Sequence, residues 1–140
     1  MELLLISHQG IASGIKDSVN MIMGDASNIH VIELTEVGID VFASKLEEYL
    51  VSWLSRSKGL IFADLKGGTP FNQVELLLRK HQLKDRAKVI SGMNLPVILE
   101  IMFSEIDVND LQQIQNVIEI ARMNIDCMDL QTQENIDEDE

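Results

Sequence analysis

Gly59-Leu60-Ile61-Phe62-Ala63-Asp64-Leu65-Lys66-Gly67-Gly68-Thr69-Pro70-Phe71-Asn72 is the stretch on which the fold turns. It opens with a run of apolar residues that do not alternate with polar ones, the pattern of a short strand covered on both faces, as in a parallel sheet. Asp64 ends that run. Two glycines make a turn, Thr69 suits a helix N-cap, and Pro70 suits the first helical position. Phe71, Val74, Leu78 and His81 then fall on one side of a helix, with Leu77 beside them. The unit is strand, turn, helix, and it recurs on both sides.

Upstream, Glu2-Leu3-Leu4-Leu5-Ile6-Ser7 is another near-continuous apolar strand, broken by His8-Gln9-Gly10. Ile11, Ile15, Val19 and Ile22 follow at helical spacing, and Gly24 is a C-terminal stop signal. His30 to Leu34 reads as a second strand, and Phe42, Leu46, Tyr49, Leu50 and Trp53 mark one face of a second helix. Downstream, Ala87 to Ser91 is a fourth strand closed by Gly92-Met93-Asn94, Pro96 to Phe103 a short helix, and Val108 to Ala121 a long last one. Asn124 to Leu130 suggests one more strand at an edge. Alternating strands and helices predict an α/β fold, an open, mostly parallel sheet with helices on both faces. Residues 1–130 read as one domain and residues 131–140 as an acidic tail.

Composition supports a packed domain. The 140 residues are 46% hydrophobic, which argues against disorder. The formal charge is −12, with seven of the acids between Asp126 and Glu140, leaving 16 acidic against 11 basic residues in the body. A basic nucleic-acid-binding surface is excluded on this balance. A single cysteine, Cys127, permits no internal disulfide and no thiolate-built zinc site. The longest uncharged stretch, Leu3 to Ile15, is too short to span a bilayer, and Glu2 with no basic residue near it does not suit a secretory signal. A cytoplasmic protein is expected.

Open parallel sheets bind ligands beyond the carboxyl ends of their strands, where strand order switches direction. His8 follows the first strand, Asp64 ends the third, and Gly92-Met93-Asn94 follows the fourth. If the first strand lies between the second and third, His8 and Asp64 emerge side by side. A carboxylate accepting from one ring nitrogen fixes the tautomer and leaves a lone pair on the other. That nitrogen can act as a nucleophile, a general base or a metal ligand; the plainer alternative is a histidine that caps a turn. His30 starts a strand at the sheet's edge, and His81 stands near a helix C-terminus where the dipole favours it. Gly67-Gly68-Thr69 suits an anion, because glycines admit backbone N–H groups close to a ligand and the helix start offers unpaired donors. A tight turn before a capped helix would have the same residues. No P-loop, no G-x-G-x-x-G after the first strand and no receiver-type acid cluster is present.

Together, Leu4-Leu5-Ile6-Ser7-His8 with Ala12 and Gly14, the Asp64-to-Asn72 stretch, and Gly92-Met93-Asn94-Leu95-Pro96 resemble the IIA component of the mannose family of the bacterial sugar phosphotransferase system, over residues 1–125. The resemblance implies that His8 accepts a phosphoryl group from the carrier HPr and passes it to a IIB component for sugar uptake, with the membrane components IIC and IID as indirect partners. It implies that Asp64 orients His8, and it adds a homodimer that exchanges its last edge strand, giving Ile125 to Leu130 a role. Gly67, Gly68 and Thr69 would hold the phosphoryl oxygens, with Gln9, Gly10, Asn72, Met93 and Asn94 in nearby loops. Neither metal nor cofactor is needed. One departure stands out: the family has glycine directly after the active histidine, whereas here Gln9 intervenes before Gly10. The phosphotransfer subunit of dihydroxyacetone kinase resembles the chain less, around Gly67 to Asn72, and a phosphate- or mononucleotide-binding regulator without catalysis would use the same loops.

Overall fold

The computed structural model describes residues 1–130; the acidic tail, 131–140, lies outside the described residues. The chain runs β1 (Leu3–His8), α1 (Ile11–Met23), β2 (Ile29–Leu34), α2 (Ile39–Leu54), β3 (Gly59–Ala63), α3 (Thr69–Lys80), β4 (Ala87–Ile90), α4 (Leu95–Met102) and α5 (Leu111–Arg122). The four strands are parallel in the order β2-β1-β3-β4. From β1 the chain passes first to one neighbour, β2, and then to the other, β3, so the switch in direction falls between β1 and β3.

The alternation of side chains along a strand divides the core in two. Leu3, Leu5, Leu60 and Phe62 point to the face covered by α1, α4 and α5. Leu4, Ile6, Ile61 and Ala63 point to the face covered by α2 and α3. Both faces of β1 and β3 are therefore dry, which is why their sequences are apolar without a period. On the α2 side Trp53 fills the space in front of Gly59. A β-carbon there would lie 2.1 Å from the indole ring and 2.8 Å from the Glu2 carbonyl. Gly59→Ala is accordingly expected to destabilise the protein by about 1–3 kcal/mol, the range for an overpacked core, read as a lower midpoint in urea unfolding; an unchanged midpoint would mean that Trp53 moves aside without cost.

Four expectations need correction. The buried stripe of α1 includes Ala12 and Val19, with Ile15 and Met23 packed partly against it, while Ile11 and Ile22 face outward. The small Ala12 lets the helix start sit close to the sheet. The last helix begins at Leu111 rather than Val108, because Asp110 accepts from the Gln113 N–H and caps it there. Thr69 is not the N-cap of α3: the Gly68 carbonyl accepts the Asn72 N–H at 2.9 Å, which makes Gly68 the cap, Thr69 the first helical residue and Pro70 the second. Residues 124–129 form no strand; Asn124 and Ile125 continue α5 as turns, their N–H groups bonded to Ala121 and Arg122.

Candidate functional site

The carboxyl ends of β1 and β3 lie side by side at the switch point, with Ile6 paired to Ala63. Two residues past Ile6 and one past Ala63, these strands deliver His8 and Asp64. The His8 Nδ1 lies 2.8 Å from Asp64 Oδ2, and the same oxygen accepts the His8 backbone N–H at 3.1 Å. One carboxylate oxygen thus holds both the ring and the main chain of the histidine. Because the carboxylate accepts, the proton sits on Nδ1 and the Nε2 lone pair is free. The His8 side chain is 46% exposed, whereas that of Asp64 is 7% exposed. Asp64 Oδ1 is buried and accepts nothing from the described residues. Withdrawing a carboxylate from water is costly, so its attraction for a positive charge on the ring is strong.

The main chain of His8 is also held from its other end. Ser7, fully buried, donates its hydroxyl to the His8 carbonyl at 2.6 Å and accepts the Ala12 N–H at 2.9 Å. The sequence reading assigned Ser7 no task; its signal was a lone hydroxyl at the end of an apolar strand.

The turn before α3 closes on the ring. Gly67 has φ +79°, a conformation L side chains rarely adopt, and its carbonyl accepts from the Asn72 side chain at 3.0 Å. At Gly68 a β-carbon would stand 3.4 Å from His8 Cε1 and 3.2 Å from the Leu65 carbonyl. The start of α3 therefore lies directly beside the imidazole, and the tighter limit on a side chain at Gly68 is the Leu65 carbonyl rather than the ring. Pro70 has no N–H and the Asn72 N–H bonds to Gly68. Thr69 and Phe71 carry the remaining first-turn donors, at the positive end of the helix dipole.

The other expected residues divide. Gln9 and Gly10 form the turn directly after His8. Asn72 lies within α3 rather than in a loop, where its side chain braces Gly67. The Met93 N–H donates to the Ala63 carbonyl at 2.9 Å, bringing the turn after β4 to the end of β3. Asn94 caps α4 through the Val97 N–H and bonds to the Gly92 carbonyl, so its side chain is committed locally. His30 stacks on Tyr49 with ring centroids 4.0 Å apart, and its partial burial lowers its pKa. His81 ends α3, 3.4 Å from Glu47 of α2. Neither belongs to the His8 cluster. No group of three His, Cys, Asp or Glu side chains among the described residues is arranged to hold a metal ion.

A buried carboxylate thus orients a half-exposed histidine beside a helix start with unpaired donors, at the sheet's switch point. Comparison with known proteins identifies the family. The profile of the mannose-type EIIA family, described as PTS system fructose IIA component, matches residues 2–120. The chain belongs to this family. It is therefore a component of the sugar phosphotransferase system, whose EIIA proteins act as phosphotransfer carriers. It is 32% identical over 122 residues to the sorbose-specific EIIA component of Lacticaseibacillus casei, covering 86% of this chain and 85% of that one. It is 26% identical over 103 residues to the fructose-specific EIIA component of Bacillus subtilis (strain 168), covering 73% and 68%. A mannose/sorbose-specific IIA subunit from Enterococcus faecalis superposes with a TM-score of 0.75 at 25% identity, over 91% of this EIIA chain and 94% of the other. No helix among the described residues of this EIIA protein is long and apolar enough to cross a membrane.

Proposed function

We propose that His8 is the phosphorylated residue of a cytoplasmic EIIA carrier, taking its phosphoryl group from phospho-HPr and passing it to a IIB component, which serves the membrane components IIC and IID. The observation that supports this most is the pairing of His8 Nδ1 with the buried Asp64 carboxylate. In the forward step the Nε2 lone pair attacks phosphorus in line. A nitrogen–phosphorus bond forms, and the bond from phosphorus to HPr breaks with its electron pair left on HPr. The ring keeps its Nδ1 proton and becomes positive, and Asp64 stabilises that charge across 2.8 Å. The N–H groups that open α3, with the Thr69 hydroxyl, hold the phosphoryl oxygens where Gly67 and Gly68 let them approach. Catalysis is positioning and charge stabilisation, with no metal in the step.

The test is phosphorylation from phosphoenolpyruvate through enzyme I and HPr. One acid-labile phosphate per chain is expected. A folded protein that takes up no label from several HPr sources would refute the proposal.

Carrier proteins must dock on this site, and its rim suits them. Because the strands are parallel, every strand-to-helix turn opens at the same end of the sheet. Ile11 follows β1, Val37 and Ile39 follow β2, and Leu65 follows β3; all four are exposed, Leu65 by 58%. Exposed apolar residues round a reactive group mark a protein-binding surface. Leu65→Asp is expected to raise the KM for phospho-HPr roughly tenfold with kcat nearly unchanged, as for loss of a contact that binds ground and transition states alike. An unaltered KM would place the docking surface elsewhere.

The family also suggests a homodimer with an exchanged edge strand. In its favour, β4 is an edge strand, flanked by a groove of about 430 Å³ lined by Val89, Ile90, Leu111, Ile118 and Ile125. The segment expected to fill such a groove in a second copy begins at Ile125, and sedimentation of chains truncated after Asn124 would reveal monomers if it does.

A further inference from the structure

Two helices begin near the end of β1, and they present their N-termini very differently. Ser7 on β1 and Glu33 on β2 are register partners and share the strand parity of Leu3, Leu5 and Val31, which pack on the α1 face. His8 has the parity of Leu4 and Ile6, which face α2 and α3. At the start of α1 the N-cap is Gly10, which has no side chain to offer. Two of the three first-turn donors are satisfied from the sheet instead: Ala12 N–H by Ser7 Oγ at 2.9 Å, and Ser13 N–H by Glu33 Oε2 at 2.8 Å. At the start of α3 neither Gly68 nor any other side chain caps the helix.

We infer that Glu33 is a positioning residue of the His8 site: its carboxylate serves as a built-in anion at the N-terminus of α1, anchors the Gln9-Gly10 turn through Ser13, and leaves the start of α3 to the phosphoryl group. The inference rests on the phosphocarrier reading above. The physical chain is short. A carboxylate at a helix N-terminus is favoured by the dipole and by the unpaired N–H groups. Once there, it repels a second anion. The pinned start of α1 also holds Ala12 against Ser7, and the Ser7 hydroxyl in turn holds the His8 carbonyl. Glu33 therefore acts on the ring through α1 and Ser7, without touching it. A small displacement of a reacting group lowers a transfer rate steeply. Charge at this point also decides which of two similar helix ends an incoming phosphoryl group meets.

Two measurements test this. In Glu33→Ala, kcat for transfer from phospho-HPr is expected to fall roughly tenfold with KM changed much less, and added formate, a carboxylate small enough to replace the lost one, should restore part of the rate. In Glu33→Gln the amide oxygen can still accept from Ser13, so the fold is kept while the charge is lost, and an intermediate rate is expected. Independently of any transfer, amide NMR spectra of the unphosphorylated protein are followed as inorganic phosphate is added. In the wild type the Ala12 and Ser13 amides should not respond. In both variants they should shift with phosphate concentration. Wild-type rates in Glu33→Ala, phosphate shifts at Ala12 and Ser13 in the wild type, or amides that stay silent in both variants would overturn the inference. Failure of the wild type to accept label would instead defeat the phosphocarrier reading, and the phosphate titration would still decide whether Glu33 closes α1 to anions.

Discussion

His8→Gln is expected to abolish phosphorylation of the chain while leaving it folded. The side chain is 46% exposed, so little stability rests on it. A glutamine amide can still donate towards Asp64 Oδ2, so the buried carboxylate is not abandoned. What is lost is the free ring nitrogen, the one nucleophile at the switch point. The other histidines do not replace it, since His30 is stacked against Tyr49 and His81 stands by Glu47. The measurement is label incorporated per chain under conditions that saturate the wild type. Any stoichiometric label on the variant would show that another residue carries the phosphate. The same variant separates a carrier from a binding module, because a regulator that only binds phosphate through the start of α3 would keep its phosphate affinity and its regulatory effect.

Asp64→Ala should slow transfer by about 10²–10⁴-fold, the scale on which removal of an orienting carboxylate acts in other histidine-dependent enzymes. Three things go at once. The ring loses the acceptor that fixes its tautomer, the His8 backbone loses its N–H partner, and the imidazolium formed on phosphorylation loses its counter-charge. Asp64→Asn divides these roles. The His8 N–H demands an oxygen at the Oδ2 position, so the amide is oriented with its oxygen towards His8 and the tautomer survives. The asparagine variant should therefore transfer faster than the alanine variant and slower than the wild type, the remaining deficit being the charge. Equal rates for the two variants would assign the whole effect to charge, and a wild-type rate in either would remove Asp64 from the mechanism. Single-turnover transfer from phospho-HPr gives these rates directly.

Much of this site is legible in the amino-acid sequence. A titratable residue directly after a buried strand can only emerge at the sheet's end, so His8 and Asp64 were placed by the length of the apolar runs alone. Their adjacency needed one more premise, the strand order, and β2-β1-β3-β4 satisfies it. The glycine turn was legible for the same reason, since Gly67-Gly68 followed by Thr69-Pro70 has no use inside a strand or helix. The cap itself was misplaced by one residue, because Thr69 is a good cap by type while Gly68 is the cap by hydrogen bonding. Ser7 and Glu33 escaped notice as contributors. Each lies on a strand where polar residues are expected at the ends, and their partner, the first turn of α1, is reached across space rather than along the chain.

The order of strands and helices, the two-faced burial of β1 and β3, and the placing of His8 and Asp64 at strand ends follow from the amino-acid sequence, because apolar periodicity and turn chemistry are local properties that the chain carries with it. Tertiary structure alone decided that Ile11 faces outward and Ala12 inward, that one Asp64 oxygen holds both the ring and the backbone of His8, and that Glu33 closes one helix start while another stays open. Those outcomes depend on distances between residues far apart in the chain, fixed only when two helical layers pack on the sheet and each buried donor must find an acceptor.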